Sequence, residues 1–273
     1  MRELPVDQQI AIVRNTGYAS ICLVSDARFP HLDALTLEAA ERQRIRRTLS
    51  EAGLELSALA GHANLLERDD VQRAANHQRL EATIDLAADL GAPCVICMGY
   101  GTPEGYEHER HALAEAFGAL ARYAEPRGVV VALEPHVGQA FDLPEKVAWL
   151  MQAVDSPSFR LNLDNSHFEV MGCDLDDYLP LLVPYAVHTD LKDQRGRYPE
   201  HEFLVPGEGE FSYSRYLKAM AAADYGGCIT IEISVMVQKR PDYDPAEVAR
   251  RSFATLVAAE RASGVSLVHG VTS

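Results

Sequence analysis

The chain has 273 residues, of which 47% are hydrophobic and 24% charged, and a formal net charge of −15. That length suits one α/β barrel of about 250 residues, so a single domain over residues 1–273 is expected. The negative charge repels phosphate backbones and anionic lipid, which argues against nucleic-acid or membrane partners.

In chain order, Val6, Ile10 and Val13 predict an opening helix. Gly17, Gly53, Gly91 and Gly128 then each precede a β-rich run, at 19–24, 55–59, 94–98 and 129–133. Two further runs, 159–164 and 185–190, are entered through Pro157 and Pro184, and a last one, 228–233, follows Gly226 and Gly227. Between them apolar residues recur with helical spacing: Leu113, Ala116, Phe117 and Leu120; Val147, Leu150, Met151 and Val154; Tyr213, Tyr216, Leu217 and Met220. Strands alternating with helices predict a parallel sheet inside a ring of helices, the (β/α)8 TIM barrel of the α/β class. Seven strands follow the opening helix, so a barrel lacking its first strand is expected, the alternative being one left open there. The five cysteines are scattered, and no signal peptide or spanning apolar run is evident, which predicts a reduced, cytoplasmic setting. Cys94 and Cys97 form a C-x-x-C inside a strand and are expected to be buried and structural.

The chemistry gathers at the strand ends. Val129–Leu133 runs into Glu134, Phe159–Leu163 into Asp164, Tyr185–Val187 into His188, and Ile229–Ile231 into Glu232. Side chains two apart share a face of a strand. Two places before each candidate sits Ala132, Asn162, Ala186 or Thr230, whereas Leu133, Leu163, Val187 and Ile231 lie between and suit packing under helices. The pattern turns all four candidates inward at the C-terminal mouth, where barrel active sites are built. Three carboxylates and one imidazole suit one divalent metal ion: Mn²⁺ first, with Mg²⁺, Co²⁺ or Zn²⁺ as alternatives. His62, His136 and His167 are further candidates for the pocket or for a catalytic acid.

Glu134-Pro135-His136, Asp164-Asn165-Ser166-His167, His188 to Asp193, Pro206-Gly207-Glu208-Gly209 and Glu232 together resemble the xylose isomerase-like barrel superfamily. That group holds ketose 3-epimerases, hydroxypyruvate isomerases, inosose dehydratases and endonuclease IV. The resemblance implies Glu134, Asp164, His188 and Glu232 as metal ligands, with Glu134 and Glu232 also as catalytic acid and base. It implies His167 as a contact to a substrate oxygen, and Arg195 or Arg197 as a substrate-binding arginine. The implied activity is that of a metal-dependent sugar isomerase or epimerase working through an enediolate. The alternative on the same scaffold is a lyase: an inosose or 3-dehydroshikimate dehydratase, or an enzyme cleaving 3-keto-glycosides. The partner is then a small sugar or sugar-derived molecule, and self-association stays open. Two departures stand out: no first strand is visible, and Ala140 sits where some epimerases carry a second carboxylate.

Overall fold

A computed structural model describes residues 1–270. Helix α1 (Val6–Thr16) leads into β1 (Ser20–Val24), α2 (Ala39–Ala52), β2 (Glu55–Ala60), α3 (Asp70–Leu90), β3 (Cys94–Met98) and α4 (Tyr106–Ala124). The alternation continues with β4 (Val130–Glu134), α5 (Pro144–Val154), β5 (Phe159–Asp164), α6 (Asn165–Val170), α7 (Leu175–Leu182) and β6 (Ala186–Leu191). A hairpin follows, β7 (Asp193–Arg197) and β8 (Glu200–Leu204), then α8 (Tyr213–Ala222), β9 (Thr230–Ile231), α9 (Val235–Gln238) and α10 (Pro245–Ser263).

The seven strands β1, β2, β3, β4, β5, β6 and β9 lie side by side in that order, all parallel, and curl into a nearly closed barrel. The seam falls between β1 and β9: β1 pairs with β2 and β9 with β6, and among the described residues no eighth strand joins the two edges. Gln9 and Val13 of α1 and Ala249 and Ser252 of α10 cover this seam. The expected runs all appear as strands, the last shortened to two residues. The hairpin of β7 and β8 was not anticipated, because its polar sequence, Asp193-Gln194-Arg195-Gly196-Arg197, shows no apolar alternation.

Alternation along each strand separates two apolar layers. Leu59, Val95, Val131, Leu133, Leu161 and Leu163 pack outward in one core with Leu113, Phe117 and Val147 of the helices. Ala58, Ala60, Cys94, Ile96 and Ala132 form a second, smaller cluster in the barrel interior, where the narrow bore favours small side chains. Cys94 and Cys97 are buried on opposite faces of β3, one in each layer, as three-residue spacing on a strand requires. Gly53 and Gly91 close α2 and α3 with φ of 67° and 86°; a Cβ there would meet nothing within 4 Å, so backbone conformation rather than space demands glycine. No helix among the described residues is long and apolar enough to cross a membrane.

Candidate functional site

Glu134 ends β4, Asp164 ends β5, and Glu232 follows β9 by one residue. Each offers a carboxylate oxygen, and these oxygens all lie within 4.8 Å of one another. Glu134 and Asp164 are buried, whereas the Glu232 side chain keeps 36% of its exposure. A cavity of about 230 Å³ reaches this group, with Glu134, Asp190, Glu232 and an exposed His62 among its walls. The structure thus brings together three of the four side chains that parity turned inward.

It does not bring His188 to them. Parallel pairing sets Asn162 beside His188 and Asp164 beside Asp190. His188 therefore points into the bore one layer below Asp164, roughly 6–7 Å along the strand. Its Nδ1 donates to Asn162 Oδ1 at 2.9 Å, while Nε2 faces the hydroxyls of Ser57 at 3.2 Å and Thr230 at 3.0 Å. Asn162 Nδ2 donates in turn to Asp190 Oδ2 at 2.7 Å, which fixes the amide orientation and hence the imidazole tautomer. With Nδ1 protonated and Nε2 accepting from hydroxyls, no lone pair remains for an ion. Burial pushes the His188 imidazole down to about 4, so the ring is neutral.

Two further residues of the same parity stand at the mouth instead, Asp190 and Lys192. Both are buried. Lys192 Nζ lies 2.6 Å from Asp164 Oδ2 and also contacts Glu232 Oε2. Burial opposes charge on Lys192, yet Asp164, Glu232 and Glu134 hold its ammonium well above the ordinary amine value. Burial likewise opposes charge on Glu134, but His136 and Lys192 outweigh it and keep that carboxyl well below the usual range. Asp164 goes the other way: burial, only partly offset by Lys192, pushes it up to about 6. Asp190 is raised well above the carboxylate range by burial and then by Glu232, Glu134 and Asp164.

His136 Nε2 stands 3.1 Å from Glu134 Oε1, and its ring stacks on His167 with centroids 4.1 Å apart. Burial opposes charge on His136, while Glu134 favours it strongly enough to raise the imidazole above its ordinary value. Glu134, His136 and His167 form a second group with ligand-type atoms within 4.8 Å. However, His167 Nδ1 accepts a hydrogen bond from the Val137 N–H at 3.3 Å, so a neutral ring carries its proton on Nε2. That N–H points towards Asp164 Oδ2 at 3.3 Å, and burial keeps the ring neutral. His167 presents a donor rather than a ligand, which leaves the three carboxylates as the better cation cradle.

Arg195 and Arg197 are exposed on β7 and do not line the cavity. Arg195 Nη2 donates to the Glu208 carbonyl at 2.7 Å, and Arg197 Nη1 to the Gly196 carbonyl at 3.1 Å. The hairpin carries both guanidinium groups away from the carboxylates, a turn that a strand-to-helix reading had no means to foresee. Asp193 organises the loop behind the hairpin: it accepts from the N–H groups of Gly207 at 2.8 Å, Gln194 at 2.9 Å and Phe211 at 3.1 Å. Glu208 is clamped by Arg240 at 2.7 Å and Arg251 at 2.8 Å, so it orders the loop.

An all-oxygen cradle fits a hard divalent cation. Asp164 Oδ2 is buried and already faces a cation, the Lys192 ammonium at 2.6 Å, so the cradle suits positive charge at that oxygen. Residues 10–258 match the Xylose isomerase-like TIM barrel family. The chain belongs to that family. A putative hydroxypyruvate isomerase of Streptomyces coelicolor is 25% identical over 286 residues, covering 96% of this chain and 94% of that protein. An inosose dehydratase of Clostridium perfringens is 26% identical over 141 residues, or 46% of this chain and 48% of its own length. A solved D-psicose 3-epimerase with D-tagatose from Clostridium cellulolyticum superposes with a TM-score of 0.78 at 14% identity, covering 96% of this chain and 95% of that one. The sequence relatives thus carry isomerase and dehydratase names, and the protein that shares the fold an epimerase name.

Proposed function

We propose that this chain is a divalent-metal-dependent isomerase or epimerase of a sugar or a sugar-derived keto compound. The reading rests on one observation above all: Glu134, Asp164 and Glu232, from three separate strands, converge within 4.8 Å at the barrel mouth. These three would hold the ion, with Mn²⁺ first in expectation and Asp190 beside them. When bound, a divalent ion supplies Lewis-acid stabilisation of negative charge growing on a substrate carbonyl oxygen.

The chain's own residues do the proton work. Glu134, held ionised by His136 and Lys192, takes the proton from the carbon next to the carbonyl. Glu232, partly exposed on the cavity wall, returns one from the other side. Return to the opposite face of the same carbon gives an epimer; return to the neighbouring carbon gives an aldose–ketose isomer. His167 donates its Nε2–H to a substrate oxygen, and His62 lines the cavity. The architecture excludes bulk water from Glu134 and Asp164, which strengthens every one of these electrostatic contacts.

One observation favours a second reading, a lyase. His136, raised above its ordinary value beside Glu134, is an acid placed to protonate a departing hydroxyl. Keto-sugars, inososes and keto-glycosides incubated with Mn²⁺ in deuterated water and followed by NMR separate the two. A deuterated epimer or isomer supports the first, while loss of water or aglycone selects the second. Absence of any product across all three substrate classes would sink both.

A further inference from the structure

Lys192 is the one buried lysine of the four in the chain; Lys146 is half-buried, and Lys218 and Lys239 are exposed. Burying an ammonium is costly unless it is paired, and this one is paired twice, with Asp164 and Glu232. Both partners belong to the trio that converges as a cation cradle. The ammonium lies 2.6 Å from Asp164 Oδ2, close to where an ion bound to that oxygen would lie, since hard divalent ions sit about 2.0–2.6 Å from oxygen ligands. Two cations do not share such a space. Parity explains the arrangement, because Lys192 is the next inward position after Asp190 and its ammonium bridges the ends of the two strands that flank β6. The Phe203 ring, 5.4 Å from Nζ, offers the ammonium an alternative face outside the carboxylates.

We propose that Lys192 is a tethered cation that competes with the divalent ion for Asp164 and Glu232, holding the cradle together when the ion is absent and withdrawing towards Phe203 when it binds. The lysine thereby sets the affinity of the site. The proposal rests on the metal-dependent reading above and deepens it. A single lysine charge at ion-pair distance shifts binding by about tenfold or more.

The test compares Mn²⁺ binding to the metal-free wild type and to Lys192→Met, measured by electron paramagnetic resonance of free Mn²⁺. The variant is expected to bind at least about tenfold more tightly. Equal or weaker binding by the variant overturns the competition while leaving the metal reading in place. Binding by neither protein sinks both. Binding by the variant alone overturns the proposal as well, because the ion then never displaces the lysine, and it removes metal dependence from the native enzyme. Because Lys192→Met leaves buried carboxylates uncompensated and could fail to fold, a second measurement uses the wild type labelled with [ε-¹³C]lysine. Four signals are expected, and Mg²⁺ at concentrations that displace bound Mn²⁺ should shift the Lys192 signal alone. A Lys192 signal unmoved under those conditions also overturns the proposal.

Discussion

The sharpest consequence of the strand register concerns His188. Replacing it with alanine removes the donor to Asn162 Oδ1 and the acceptor facing Ser57 and Thr230. The two hydroxyls can rotate to other partners, but Asn162 is fully buried and its amide is already committed to Asp190. One orphaned buried acceptor costs about 1–3 kcal/mol, and the lost packing of the ring adds to it. His188→Ala is therefore expected to lose about 2–4 kcal/mol in urea unfolding of the metal-free protein. Its Mn²⁺ affinity should fall by no more than about tenfold, an indirect effect passed through Asn162 to Asp190. Asp164→Ala, which deletes an oxygen from the cradle itself, should lose more than about a hundredfold. If calorimetric titration showed His188→Ala losing as much as Asp164→Ala, the imidazole would have to reach the ion, and the register argument would fail.

Other outcomes follow from the same geometry. Glu134→Gln keeps the side chain's volume and should fold normally, yet turnover should drop by at least about a thousandfold on whichever sugar proves to be the substrate; retained activity would remove Glu134 from the chemistry. Among the groups that shape the acid dependence of the metal-free protein, His188 and Asp164 pull in opposite directions. His188, about 4 when folded against 6.5 unfolded, withdraws about 3 kcal/mol as pH falls from 6.5 to 4, because the unfolded chain binds the proton first. Asp164, about 6 when folded against 3.8 unfolded, withdraws a similar amount as pH rises from 3.8 to 6, because the folded chain holds its proton longer. The gap in stability between wild type and His188→Ala isolates the histidine and should widen by about 3 kcal/mol from pH 4 to pH 6.5 in denaturant titrations; a constant gap would contradict the buried, neutral ring. Asp193→Ala strands three backbone N–H groups, that of Gln194 on β7 and those of Gly207 and Phe211 in the loop behind the hairpin, and should cost about 3 kcal/mol or more, visible as a lower Tm.

Sequence alone determined what is local. Glycines at helix ends, apolar spacing along helices and alternation along strands are properties of a few neighbouring residues, and they fixed the βα order and the seven strands. Period-two alternation also told which face each side chain takes, so Glu134, Asp164 and Glu232 were legible as inward-facing groups. It told the same of His188, Asp190 and Lys192, and parity cannot rank residues that share it. Which of the three stands level with Asp164 depends on how far β6 slides against β5, and pairing across two strands twenty-odd residues apart decides that. The bulge between Leu161 and Asn162 and the stagger of the barrel are products of closing the sheet, not of either strand. Tertiary structure likewise folded 193–204 back as a hairpin and took Arg195 and Arg197 away from the mouth. Direction was written in the chain; height along the barrel axis came only from assembling it.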